Sequence, residues 1–85
     1  MQKDTELYQT KNLFFKPLIV KTEGGIINIK ENNVFHVNVY LMSEGGEINI
    51  GSYNIFEDKV IIFNKSKTQP MNIGSFNHFK EGSRI

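Results

Sequence analysis

Cysteine, alanine and tryptophan are all absent from this 85-residue chain. Without cysteine there is no disulfide and no thiolate metal site, so a chain this small lacks two common staples. Without alanine it lacks the best helix former. Isoleucine, asparagine and glycine are plentiful instead, and β-branched and aromatic residues fit strands. Arginine occurs once, at Arg84, against nine lysines. No apolar run approaches the roughly 18 residues of a membrane helix. The opening Met1-Gln2-Lys3-Asp4 is polar and has no signal-peptide core. These features predict a single all-β domain over residues 1–85, in the cytoplasm (the host cytoplasm if phage-encoded), with 81–85 as a loose tail. The bias toward residues with AT-rich codons points to a low-GC bacterium or one of its phages.

What is present is a repeat. Asn12-Leu13-Phe14, Asn33-Val34-Phe35, Asn54-Ile55-Phe56 and Asn77-His78-Phe79 share one phrase; the first three stand 21 residues apart and the fourth follows after 23. Glu23-Gly24-Gly25-Ile26-Ile27-Asn28-Ile29 is echoed by Glu44-Gly45-Gly46-Glu47-Ile48-Asn49-Ile50. Gly51-Ser52-Tyr53 is echoed by Gly74-Ser75-Phe76. Self-similarity at a fixed period marks a repeated structural unit. Gly24-Gly25 and Gly45-Gly46 suit tight hairpin turns. The unit therefore reads as two strands of about 21 residues in all. About six short strands then form a meander closing into a small barrel or sandwich.

Within that frame, Phe35, Val37, Val39 and Leu41 define a core face, and His36, Asn38, Tyr40 and Met42 the opposite one. Residues 59–63 are apolar on both faces, as expected of a central or interface strand. Pro17 cannot donate to a ladder and marks an edge or a bend. Residues 4–12 suit one short helical turn. The repeated Phe reads as core, and the repeated Asn as a residue that bonds its own main chain or tolerates a left-handed backbone.

Charge is near balance overall but uneven along the chain. Residues 1–22 carry four lysines against two acids, residues 23–58 one lysine against six, and residues 59–85 five cations against one acid. Such a surface can steer an anionic partner or a second copy of itself. Catalytic groups are sparse. The two histidines, His36 and His78, are far apart in sequence, and a zinc site needs several converging ligands. Glu57 and Asp58 are neighbours, so on a strand they point to opposite faces. No serine stands in a nucleophile-elbow phrase, and no glycine run continues into a phosphate loop. Neither catalytic residues, a metal, nor a cofactor is expected.

The residues most suited to contact a partner or nucleic acid are Lys59, Lys65, Lys67, Phe76, His78, Phe79, Lys80 and Arg84. Lysines meet phosphates as point charges, and aromatic rings stack on unpaired bases. Val37-x-Val39-x-Leu41, Gly46, Gly51, Tyr53 and Phe56-Glu57 resemble the first signature of Sm-like RNA-binding proteins over a quarter of the chain. The loop before Gly46 is longer than that pattern, Asn49 replaces an apolar residue, and no second signature follows. The resemblance implies a small barrel and RNA contact and assigns no site residue.

The expected function is a non-catalytic binding module: a phage or mobile-element factor that inhibits a bacterial host protein and forms a homodimer. An RNA or single-stranded nucleic-acid binder is the alternative. An assembly component is a weaker third reading, since 85 residues leave little room for an extended solenoid.

Overall fold

The structure, a computed structural model, describes residues 11–85. Among them are ten short strands and no helix. The strands form three sheets, and every pair within them is parallel. The first sheet stacks β1 (Leu13–Phe14), β4 (Val34–Phe35), β7 (Ile55–Phe56) and β10 (His78–Phe79). The second stacks β2 (Leu18–Thr22), β5 (Val39–Ser43) and β8 (Ile61–Asn64). The third stacks β3 (Ile27–Ile29), β6 (Ile48–Ile50) and β9 (Met71–Ile73).

Each strand pairs with the one a full repeat away: Leu13 with Val34, Tyr40 with Ile61, Ile27 with Ile48. The chain is a β-solenoid of about three turns. This corrects the meander, the barrel or sandwich, the six-strand count and the two-stranded unit. It also removes the basis for the Sm-like resemblance, because residues 37–57 run through parts of three sheets. Each repeat holds three strands, and two-residue strands such as Leu13–Phe14 are too short to show alternation.

The corners explain why the chain turns outward into the next sheet and does not double back. Lys11, Asn32, Tyr53 and Phe76 occupy the corner between the third and first sheets, all at positive φ (57°, 67°, 61° and 63°). Asn38, Lys59 and Gly82 take φ of 60°, 64° and 76° at the corner between the first and second. One left-handed residue re-aims the strand without reversing it. For a bulky side chain that conformation costs on the order of 1 kcal/mol.

The third corner holds the two Gly-Gly pairs, which are not hairpin turns. Gly45 has φ 139°, and a Cβ there would lie 2.7 Å from the Lys67 carbonyl oxygen. A Cβ on Gly25 would lie 2.7 Å from the Gly46 oxygen. Glycine lets successive coils approach closely at this corner. The two extra residues of the last repeat also belong here. Partners are 21 apart up to Asn64 (Ser43 with Asn64) and 23 apart from Met71 on (Ile48 with Met71).

The interior is a set of columns. Phe14, Phe35, Phe56 and Phe79 stack with centroids 4.7, 4.6 and 4.9 Å apart. That is the spacing between neighbouring strands, so parallel register imposes the stack. Val39, Leu41, Ile48, Ile50, Val60, Ile62 and Ile73 fill the remaining core. Val37, expected inside, is only half-buried, because the bend at Asn38 separates it from β5.

A buried amide column runs beside the rings. The Asn33 amide N–H donates to Asn12 Oδ1 (2.8 Å), that of Asn54 to Asn33 Oδ1 (2.9 Å), and that of Asn77 to Asn54 Oδ1 (2.9 Å). The side-chain nitrogens of Asn12, Asn33 and Asn54 donate to the carbonyls of Lys30, Gly51 and Gly74, each at 2.8 Å. Among the described residues every buried side-chain polar atom has a partner. The repeated phrase is thus core Phe plus an Asn that bonds main chain, mostly that of the next coil.

The expected helical turn at 4–12 lies outside the described residues except for Lys11 and Asn12, which are not helical. Residues 83–85, expected to be loose, run alongside β8: Arg84 bridges Ile61, and the Ile85 amide donates to the Ile61 carbonyl (2.9 Å). Among the described residues no helix is long and apolar enough to cross a membrane.

Candidate functional site

Winding distributes the eight expected contact residues over three corners and two sheets. Lys59 and Lys80 lie at the corner between the first and second sheets, beside Glu57, Asp58 and Glu81. Lys65 and Lys67 lie in the enlarged loop between Asn64 and Met71. Phe76 occupies the opposite corner and is 78% exposed. Phe79 points inward and closes the ring column on Phe56. His78 faces outward on the first sheet, with Nε2 2.6 Å from Glu57 Oε2. Lys65 and Arg84 come together at one depression, and His78 and Lys80 both lie near Glu57.

Those two cations flank an apolar floor. Lys65, Arg84, Ile61, Phe63 and Ile85 line a shallow depression of about 370 Å³. The Lys65 ammonium sits 5.8 Å from the Phe63 ring centroid, within cation–π range. The depression continues the outer side of the second sheet. Strand alternation sends Val39, Leu41 and Ile62 inward and leaves Tyr40, Met42, Ile61 and Phe63 half-buried outside. Register aligns Ile19, Tyr40 and Ile61 in one row, and Lys21, Met42 and Phe63 in the next. The result is a flat apolar face with lysines at its margin.

The sequence did carry a signal for this face. Residues 59–63 are apolar on both sides, and Tyr40 and Met42 alternate with the core positions. What was missing was the parallel register that puts these residues side by side.

The two histidines each approach a carboxylate at the corner between the first and second sheets. His36 Nδ1 lies 3.9 Å from Asp58 Oδ1. Glu57 is held more firmly, since its second oxygen accepts the Glu81 amide at 2.9 Å. The His78 hydrogen bond, the Glu81 amide and the positive charge of His78 and Lys80 together hold the Glu57 carboxyl below its ordinary value. This ties the third coil to the fourth. Among the described residues no three His, Asp or Glu side chains converge as metal ligands.

Winding also interleaves the charges. The enlarged loop puts Lys65 above Glu44, whose amide donates to the Asn64 carbonyl. Since each coil rises only about 4.8 Å, acidic and basic stretches distant in sequence become near neighbours.

Sequence reading missed the partner of Phe76. Its ring stacks on Tyr53 with centroids 5.2 Å apart and planes within 5°. The echo of Gly51-Ser52-Tyr53 in Gly74-Ser75-Phe76 was the available clue. No known protein family, no curated protein and no solved structure matches this chain.

Proposed function

We propose that this chain is a non-catalytic binding module that docks on a protein through the outer side of its second sheet. One observation carries the reading: parallel register gathers Ile19, Tyr40, Met42, Ile61 and Phe63 onto one flat face. Lys21, Lys65 and Arg84 at its margin favour a partner with an acidic rim. The composition further suggests a phage or mobile-element factor of a low-GC bacterium, acting by occluding a host protein. Homodimerisation is part of the same proposal, since strand edges and apolar surface both favour it. Affinity capture from a low-GC bacterial lysate tests it. The wild type should recover one protein stoichiometrically, and Met42→Glu with Phe63→Glu should lose it. Recovery of no stoichiometric protein contradicts the reading.

A nucleic-acid reading rests on Lys65 poised above the Phe63 ring with Arg84 across the depression. Lys65→Glu with Lys67→Glu should then abolish single-strand binding, and wild-type affinity should fall steeply with salt. Unchanged affinity in the double variant removes this alternative.

A further inference from the structure

The corner between the third and first sheets has a different character from the docking face. Tyr53 and Phe76 are bulky, left-handed and exposed, at 54% and 78%. Lys11 and Asn32 occupy the same position in the earlier coils, so the corner itself imposes the left-handed backbone, which Asn or Gly would take with less strain than an aromatic residue. The ring pair contributes nothing to the core, yet it is held on a strained backbone with its planes nearly parallel. Since the corner accepts a polar residue in the coils below, two exposed aromatic rings here suit contact with a ligand rather than folding.

The surroundings narrow the ligand. Residues 48–56 and 68–77 contain no Asp, Glu, Lys, Arg or His, and the charged residues that the winding brings beside them, Lys11, Lys30, Glu31 and Glu47, are of both signs and balance. The third sheet, which leads into this corner, exposes a chain of amides. Asn28 Nδ2 donates to Asn49 Oδ1 (2.8 Å), and Asn49 Nδ2 donates to Asn72 Oδ1 (3.0 Å). Ser52 and Ser75 follow on the same corner, the Ser75 hydroxyl oxygen accepting the Ser52 amide (2.9 Å). Amides and hydroxyls both donate and accept, as a polyol requires. The two rings cover each other's facing sides, and the side of Phe76 turned away from Tyr53 suits the C–H side of a sugar ring. A nucleic acid would instead need a cluster of cations for its phosphates, and here Lys11 and Lys30 are offset by Glu31 and Glu47.

We infer that Tyr53 and Phe76 form an aromatic platform for a neutral oligosaccharide, with Asn49, Asn72, Ser52 and Ser75 as the adjoining hydrogen-bonding groups. This goes beyond the protein-docking reading and uses a separate surface.

Titration by NMR with cellohexaose, chitohexaose, maltohexaose and a twelve-residue oligothymidine tests it. At least one saccharide should give saturable shifts in the Tyr53 and Phe76 rings and the Asn72 amide. Raising salt from about 50 to about 500 mM should leave that affinity unchanged, because no counterions are released. Phe76→Asn should weaken binding at least about tenfold. The same change should leave thermal stability equal or higher, since Asn tolerates the left-handed backbone. Phe15→Ala removes an exposed ring from a different corner and should leave binding intact. Three outcomes each overturn the inference: no saccharide binds, only the oligothymidine binds, or Phe76→Asn binds like the wild type.

Discussion

Two corners of the same solenoid follow opposite rules. At the corner between the third and first sheets, each coil has a left-handed residue followed by an Asn, and the amide N–H of Asn33, Asn54 and Asn77 meets the Asn of the coil below. At the corner between the second and third sheets, the sequence changes from Glu-Gly-Gly to the longer Lys65–Pro70 segment. At the first corner the left-handed residue faces solvent, but the Asn beside it is buried in three coils and its hydrogen bonds link consecutive coils, so its loss orphans groups in two coils at once. The second corner is also tied to its neighbours, by the Gly46 amide to the Ser66 carbonyl (3.0 Å) and by Asn64 Nδ2 to the Glu47 carbonyl (2.8 Å), but more of its side-chain bonds close within one coil. Ser43 Oγ accepts the Gly45 amide (3.0 Å) and donates to the Gly46 carbonyl. In the next coil Asn64 takes that place, accepting the Ser66 amide (3.0 Å) and donating to the Gln69 carbonyl (2.9 Å). A corner whose side chains bond largely within their own coil tolerates a change of length and charge; a corner built on a coil-to-coil column of Asn side chains does not.

This contrast can be broken by substitution. The largest effect belongs to the ring column beside the invariant corner. Phe56 is fully buried between Phe35 and Phe79, so Phe56→Ala should cost about 3–5 kcal/mol in denaturant unfolding. Asn54→Ala should cost about 1–3 kcal/mol, because it strands the Asn77 amide and the Gly74 carbonyl. The exposed amide Asn72→Ala should cost under about 0.5 kcal/mol, and an equal loss at the two sites would refute the distinction between them. At the variable corner, Gly45→Ala should cost about 1–2 kcal/mol, through the strained φ and the approach of Lys67.

The smallest effect concerns acid. Glu57 has a lowered folded pKa, so its contribution is complete above its ordinary value near 4.5. It is lost as pH falls through the lower folded value. The protection of the Glu57 and Gly82 amides against hydrogen exchange, relative to their intrinsic rates, should therefore fall below about pH 4.5, and Glu57→Gln should flatten that response.

The β content and the 21-residue period were legible in the sequence, because a missing Ala and a recurring Asn-x-Phe are local facts. Topology was not. Gly24-Gly25 reads the same in a hairpin and in a solenoid corner, and only the partner of the following strand tells them apart. The left-handed Tyr53 and Phe76 were hidden for a related reason, since aromatic residues seldom signal such a backbone. The candidate surfaces were half visible. Residues 59–63 were apolar on both sides, and Lys65 and Arg84 were flagged, but their meeting over Phe63 depends on parallel register. Lys59, Lys80 and Phe76 were grouped with them by closeness in sequence, which a coil of this length scatters around three faces.

The absence of cysteine permits a clean test of that register. In the solenoid Asn28 lies beside Asn49, whereas a hairpin turning at Gly24-Gly25 would set it opposite Lys21. Under mild oxidation, Asn28→Cys with Asn49→Cys should form an intramolecular disulfide rapidly and keep the native fold. Asn28→Cys with Lys21→Cys should stay reduced. The reverse outcome, with residues 21 and 28 joining while 28 and 49 do not, would contradict the parallel solenoid.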